Sequence, residues 1–393
     1  MVSQEKNKQI VINQEIFGTL CLIKNEVLGK FTKLMNKDEI EESIVNGEFQ
    51  NEPMPFVFMF APNDKISQNT IKNAKFSDKI PLICDGEIKA EITCESVFET
   101  KNLKECVSIF DISMARSKST LSHGKFAISG KFSITCDSIS NSVKKIHLLK
   151  QNQNGQKITA LFLTADPLHR AHERLIRLAI DKADFVIIFL IRSQKKDKLP
   201  YKLRQKTLEY FAKTFLPANR VTIVPLKNTH IFTEHLYPEL ECIVAKNFGA
   251  NKLVLGQNHE NIGMFYDSNE IHTILDGYKN SLDMEILVMP EFVYCNECKT
   301  LVSTKSCPHG PHHHTQYHTQ TLKTLLHQGI MPPSIFMRKE ISAMILSELF
   351  PNRFENLQKI YNELFPNDGI LEPHDEKEFY EELMNLYQTS SLK

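Results

Sequence analysis

An apolar run that passes within a few residues into a helical one constrains the fold of this chain more than anything else in it. The run is Ile158-Thr159-Ala160-Leu161-Phe162, and the helical periodicity follows over Leu168–Ala183. A short apolar segment joined directly to a 3.6-residue repeat is the opening of a strand–helix unit. The same alternation recurs downstream. Strand-like runs fall at Ile158–Leu163, Phe185–Ile191, Val221–Pro225, Leu253–Gly256 and Ile286–Met289, and helical segments at Leu203–Phe215 and Leu236–Phe248. Alternation of this kind predicts an α/β fold with a parallel sheet of Rossmann-like character, whose ligands sit at the carboxyl ends of the strands.

The first such end carries Thr164-Ala165-Asp166-Pro167-Leu168-His169-Arg170-Ala171-His172-Glu173. Asp166 reads as the N-cap and Pro167 as the first helical residue. His169 and His172 are three apart, so both project from one side of the opening turns. A helix N-terminus offers free N–H groups and a positive dipole end to an anion. Two imidazoles placed there suit charge stabilisation during transfer of a nucleotidyl group, because negative charge builds on phosphoryl oxygens in the transition state. A solvated histidine pair on a charged helix face is the plainer alternative.

Around this unit the chain divides by composition. Residues 1–150 contain short apolar runs such as Phe56–Phe60 and Ile80–Cys84, which predict a mostly β domain, with Pro81 at a sheet edge or strand start. The polar stretch Lys150–Lys157 reads as a linker. Residues 158–318 hold the strand–helix alternation, and 319–393 read as helical, with segments Leu322–Gln328, Lys339–Phe350, Arg353–Leu364 and Glu376–Tyr387.

Balanced charge, 47 basic against 47 acidic side chains, gives no reason to expect nucleic acid as a partner. The longest apolar run, Phe185–Ile191, is too short to span a bilayer, and the N-terminus has no hydrophobic signal core. A soluble cytoplasmic protein without a membrane partner is expected. Six cysteines (Cys21, Cys84, Cys94, Cys106, Cys136, Cys242) are scattered and read as reduced thiols.

The other three cluster as Cys295-x2-Cys298-x8-Cys307, followed by His309, His312, His313 and His314. Three thiolates and an imidazole suit a closed tetrahedral Zn²⁺ site within a knuckle spanning 295–314. Such a site is structural. Free thiols or a redox pair are the alternatives, and any of the four histidines can be the fourth ligand.

The Pro-Leu-His-Arg-Ala-His-Glu stretch resembles the His-x-x-His motif (HxGH type) of the nucleotidylyltransferases and, within them, the ATP sulfurylases (sulfate adenylyltransferases). Leu253-Val254-Leu255-Gly256-Gln257-Asn258-His259 resembles that family's strand-ending Gly-Arg-Asp-His-Ala-Gly loop, and Phe265–Ile271 its Tyr-Asp-x-x-Glu-Ile. Leu28–Met35 resembles the start of the family's PUA-like N-terminal domain, and Gly329–Pro333 its Gly-x-x-Pro-Pro. The resemblance implies ATP with Mg²⁺, and sulfate as the acceptor. It implies catalysis by His169, His172 and Thr164, and ligand contacts from Leu163, Ala165, Asp166, Gly256, Gln257, Asn258, His259, Val293 and Lys195. It also implies a structural zinc on Cys295, Cys298, Cys307 and His313, and a homo-oligomer is expected.

The chain departs from the family pattern at the acceptor half. Leu163 and Ala165 stand where the family has Gln and Arg, Asp166 where it has Asn, and Gln257 and Asn258 where it has Arg and Asp. His318-Thr319-Gln320-Thr321-Leu322-Lys323 replaces Ser-Gly-Thr-x-x-Arg. Sulfate is held best by guanidinium forks, so three functions stay open: sulfate adenylyl transfer, nucleotidyl transfer to a less anionic acceptor, and nucleotide binding without catalysis.

Overall fold

The computed structural model describes residues 8–54, 56–101, 103, 123–151, 157–193, 197–227, 229, 232, 238–256, 265–267, 270–272, 275–365 and 372–388. The linker at 152–156 and Cys106 lie outside them, as do Lys195, Gln257, Asn258 and His259.

The N-terminal unit contains β1 (Ile10–Val11), α1 (Gln14–Lys24), α2 (Lys37–Asn46), β2 (Glu48–Phe49), β3 (Glu52–Pro53), α3 (Lys65–Lys72), β4 (Lys79–Cys84), β5 (Glu87–Glu99), β6 (Phe126–Ile134) and α4 (Asp137–Gln151). Its main sheet has the order β1-β4-β5-β6. The expectation of a mostly β unit is corrected here, since four helices of 11, 10, 8 and 15 residues share it with the strands. Helix α1 is buried along most of its length, so its apolar run hides the helical period that would have identified it. Asparagine caps start α1 and α2: Asn13 Oδ1 accepts from Ile16 N–H at 2.8 Å, and Asn36 forms a capping box with Glu39. Phe56–Phe60 is buried but forms no strand; isolated bridges fall at Val57 and at Phe60, the latter to Ile128. Pro81 lies in β4 just before the residues that pair with β1, where a missing N–H costs the sheet nothing. Cys21 and Cys136 are joined in a disulfide with their Cα atoms 5.6 Å apart, correcting the expectation that both are reduced.

The second unit is the parallel sheet. Its strands are β7 (Ile158–Leu163), β8 (Phe185–Leu190), β9 (Val221–Pro225), β10 (Lys252–Gly256) and, beyond the short hairpin β11 (Phe265–Asp267) and β12 (Glu270–His272), β13 (Glu285–Met289). The order is β13-β10-β7-β8-β9 and every pairing is parallel. Helices α5 (Arg170–Asp181), α6 (Tyr201–Phe215), α7 (Pro238–Asn247) and α8 (Asp276–Ser281) connect the strands. This is a doubly wound sheet whose order reverses between β7 and β10, and ligands bind at such a switch point.

Strands β7 and β8 are buried on both faces, as the central strands of a covered parallel sheet must be. Their side chains alternate between two apolar clusters. Ile158, Ala160, Phe162, Ile187 and Phe189 join a cluster shared with the N-terminal unit and α7. Leu161, Leu163, Ile188 and Leu190 join the other, with α5 and α6. Phe162 stacks on Phe189 at 4.5 Å between centroids. An ion pair from Arg192 to Glu15 and a bond from Asn247 Nδ2 to the Val27 carbonyl (3.0 Å) tie the two units together.

A three-stranded antiparallel sheet follows: β14 (Phe292–Cys295), β15 (Thr300–Ser303) and β16 (His314–Gln316), in the order β15-β14-β16. The chain ends in α9 (Thr319–His327), α10 (Lys339–Leu349), α11 (Leu357–Leu364) and α12 (Glu376–Gln388). Helix α10 adds Ile341, Ala343, Ile345 and Leu346 to the second cluster. Among the described residues no helix is long and apolar enough to cross a membrane.

Candidate active site

Strands β7 and β10 run side by side in the register Thr159↔Lys252 to Leu161↔Val254, so Leu163 and Gly256 finish at the same edge of the sheet. Both histidine-bearing motifs therefore begin at the switch point. At Gly256 no atom of the described residues lies within 4 Å of the position a Cβ would take, which leaves the strand end open to close backbone approach.

The helix after β7 starts later than its sequence suggests. Asp166 and Pro167, joined by a cis peptide, precede it, and the N-cap is His169, with φ −136° and ψ 172°. Asp166 does not cap because its carboxylate is engaged elsewhere. Leu199 N–H donates to Oδ1 at 2.9 Å and Lys323 Nζ lies 3.4 Å from Oδ2. His169 and His172 thus occupy the N-cap and the third helical position. His172 Nδ1 accepts from the His169 N–H at 3.4 Å, one half of a capping box. The rings stack at 3.8 Å, and Tyr317 covers the other side of His169 at 5.4 Å.

His169 is only 6% exposed, and among the described residues its Nδ1 has no hydrogen-bond partner. A buried polar atom without a partner costs stability, so such an atom in a native fold asks for an explanation. Burial, reinforced by the adjacent His172, holds the His169 imidazole well below the ordinary histidine value of 6.5. It is neutral at physiological pH and carries one N–H to give and one lone pair to offer.

Charge behind this loop is fully paired. Lys323 on α9 is completely buried between Asp166 and Asp197, 3.1 Å from the latter. Gln320 and His327, on the same face of α9, also hold Asp197: Gln320 Nε2 donates to its carboxylate, and His327 Nε2 meets its carbonyl at 3.0 Å. The Gln320 bond, outweighing what little desolvation there is, and the Lys323 bond keep the Asp197 carboxyl below its usual range. Arg204, 2% exposed, donates to the carbonyls of Thr164, Ile191 (3.0 Å) and Leu199 (3.3 Å). It fastens the ends of β7 and β8 together, so it is not free to clamp a phosphate.

Several expected contacts are not in the crevice. Leu163 is 5% exposed and Ala165 fully buried, both within the apolar cluster around α5 and α6. Ala165 holds φ at +46°, a left-handed backbone uncommon outside glycine, at the bend of the loop. Val293 is 1% exposed inside β14, paired with Val302 and Gln316. Apolar side chains at these positions gain more from the core than from facing a ligand. Thr164 is half-buried at the end of β7. Lys323 and Tyr317 are the site residues that the sequence does not single out. The i, i+3, i+7 spacing of Gln320, Lys323 and His327 was the one local signal for the first of them.

In the knuckle the fourth member is His309, not His313. His309 Nδ1 lies 3.5, 3.3 and 3.6 Å from the sulfurs of Cys295, Cys298 and Cys307. His313 Nδ1 instead faces Glu297 at 3.3 Å. All four candidate ligand atoms fall within 4.8 Å of one another, a spread that tetrahedral zinc would gather. Burial opposes ionisation of Cys295, but the N–H groups of Cys298 and Glu297 and the neighbouring thiols outweigh it and bring that thiol to about 7. Burial and the same neighbouring thiols push Cys298 up to about 11, so one thiolate forms first, and three sulfurs with one imidazole are a donor set that fits a zinc ion.

The family profile described as ATP-sulfurylase matches residues 137–348. The sulfate adenylyltransferase of Carboxydothermus hydrogenoformans is 24% identical over 272 residues, covering 66% of this chain and 71% of that protein. That of Psychrobacter cryohalolentis is 24% identical over 332 residues, covering 80% and 79% respectively. Among solved structures, the hexameric APS kinase from Thiobacillus denitrificans superposes with a TM-score of 0.64 at 13% identity, covering 89% of this chain and 64% of that one. At that identity the likeness shows the fold.

Proposed function

Because this chain belongs to the ATP-sulfurylase family, we propose that it binds ATP at the switch point between β7 and β10 and transfers its adenylyl group to a small acceptor, releasing pyrophosphate. The observation that carries this reading is the neutral, buried His169, stacked on His172 at the head of α5 with its Nδ1 unpartnered among the described residues. As charge builds on the α-phosphoryl oxygens and the departing pyrophosphate, ring N–H groups at a helix terminus stabilise it without covalent chemistry. Thr164, Gly256, Asn258, His259 and Lys195 belong to the nucleotide pocket in this reading. Mg²⁺ on the triphosphate supplies further charge neutralisation when bound. Asp166 meets the Leu199 N–H and the Lys323 ammonium, which offset its charge beside the pocket. Zinc on Cys295, Cys298, Cys307 and His309 shapes the knuckle and takes no part in the chemistry.

Sulfate is the acceptor named for the relatives. A second reading, nucleotidyl transfer to a less anionic acceptor, is favoured by the burial of Leu163 and Ala165. The cation nearest the loop, Lys323, is itself fully buried between two carboxylates. Losing two guanidinium contacts forfeits about 3–6 kcal/mol, or roughly two to four decades of sulfate affinity. Pyrophosphate release from ATP, measured with sulfate and with a panel of neutral and cationic acceptors, separates the readings. Release that requires sulfate and is lost in His169→Ala selects sulfate adenylyl transfer. Release that requires another compound selects the second reading. Nucleotide binding without turnover on any acceptor overturns both.

A further inference from the structure

The outer face of α5 borders an open cleft of about 390 Å³ that the proposed chemistry does not use. Arg170, Arg174 and Arg177 line one wall, at i, i+4 and i+7 of the helix, and Lys299 of the knuckle and Arg338 complete it. One carboxylate, Glu173, faces these five cations, in a chain whose formal net charge is zero. Glu173 is 4% exposed and serves as a hub. Its Oε2 accepts from Arg170 Nη1 at 3.2 Å and from Arg338 Nε at 2.9 Å. Arg170 is held further by the Ser334 carbonyl (3.1 Å) and Arg338 by the Phe215 ring, 3.9 Å from its guanidinium carbon. Arg177 donates to the Phe215 carbonyl at 2.7 Å. Arg174 and Lys299 are exposed and, among the described residues, make no hydrogen bond or ion pair. Three guanidinium groups are thus held in place, and two further cations are left facing a common space.

We propose that this cleft is a binding site for a compact oligophosphate, an anion of two or more linked phosphoryl groups. Cations crowded around one carboxylate repel one another, and an anion between them relieves that repulsion. Guanidinium forks match phosphate oxygens in pairs. Three arginines over two helical turns form a row of about 10 Å, which a linear chain of phosphoryl groups spans and a single tetrahedral anion does not. None of the strand-end residues Leu163, Thr164 and Gly256 lines the cleft, so it opens away from the strand ends, and Arg170 and Tyr317, the ring stacked on His169, form the wall between the two.

The test is calorimetric titration at fixed ionic strength with inorganic tripolyphosphate, pyrophosphate, orthophosphate and a non-hydrolysable ATP analogue. It is run on the full chain and on the Arg174→Gln/Lys299→Asn variant. Both replaced side chains are unpartnered, and Asn tolerates the left-handed backbone at residue 299, where φ is +54°. The expected result is saturable tripolyphosphate binding, weakened about 10-fold or more in the double variant and much less in His169→Ala. Orthophosphate binds at least about 10-fold more weakly than tripolyphosphate on the same ground. Tightest binding of pyrophosphate identifies a leaving product as the ligand, and of the ATP analogue a nucleotide. No saturable binding at millimolar tripolyphosphate overturns the proposal, as does equal affinity in the double variant. So does a loss confined to His169→Ala, which would place the anion in the strand-end crevice. The readout is binding, so failure of adenylyl transfer leaves it standing.

Discussion

In the loop that precedes α5, Asp166 meets Lys323 at 3.4 Å and the Leu199 N–H at 2.9 Å, whereas on the outer face of the same helix Arg174 lies exposed with no such partner. The inner end holds its charge in matched pairs out of water, where an unpaired ion costs several kcal/mol. The outer face carries unmatched cations in water, where solvent makes their mutual repulsion tolerable. One helix therefore presents a neutral imidazole, stacked on a second ring, at its head and a positive wall along its flank. The balance of 47 basic and 47 acidic residues hides that asymmetry, because a total says nothing about where charges gather. It excludes a uniformly basic surface and leaves a local basic cleft undetected.

The contrast is broken most severely at the head. If His169 stabilises phosphoryl charge, His169→Ala lowers the turnover rate about 10²–10⁴-fold while ATP affinity changes far less. A steady-state comparison of kcat and KM checks this, and an unchanged kcat removes the imidazole from the mechanism. Next comes the buried pair. Lys323→Met leaves Asp166 and Asp197 without their cation and lowers stability by about 3–5 kcal/mol in urea unfolding. Adding Asp166→Asn restores part of that loss. A single variant as stable as the parent would mean that water already reaches the pair.

Cys298→Ser tests the knuckle that carries Lys299. Bound zinc, counted by metal analysis, falls from about one per chain to near zero, and tripolyphosphate affinity falls with it as Lys299 loses its anchor. His313→Ala leaves the zinc content unchanged, because His309 completes the cluster.

Protonation gives a gentler probe. The His169 pKa is depressed in the folded state, so the unfolded chain takes up the proton first as acidity rises. The stability tied to its neutral form is complete above pH 6.5 and lost progressively as pH falls below that value. Urea midpoints compared at neutral and mildly acid pH, in the parent and in His169→Asn, read this directly. A pH dependence identical in both chains refutes it. Smallest of all is the effect of Arg174→Gln/Lys299→Asn on folding, within about 0.5 kcal/mol, as befits two exposed and unpartnered side chains.

Much of the parallel sheet was legible beforehand. The run Val221–Pro225 coincides with β9, and Phe185–Ile191 exceeds β8 by one residue. Helix α10 was foreseen to within one residue at its end. Apolar periodicity is strong where strands are buried on both faces and helices on one. It failed in α1, which is buried almost all round, and at Phe56–Phe60, which is buried but paired only through isolated bridges. The site divided in the same way. Both motif positions at strand ends followed from alternation, but the start of α5 did not, since Asp166 is as good a cap in isolation as His169 is a poor one.

The sequence alone determined where strand gives way to helix, that two histidines stand at one such junction, and that three cysteines lie close enough to share a metal. Each of these depends on neighbours a few residues apart, which the chain cannot separate. Tertiary structure alone decided that Lys323 covers Asp166 from 157 positions away, that Cys21 meets Cys136, and that His309 rather than His313 turns toward the thiols. It also decided that Leu163 and Ala165 join the core, and that five cations share one cleft. These outcomes are set by packing between distant segments, where burial forces charges to find partners and apolar groups to leave water, and no local spacing encodes which partner will be there.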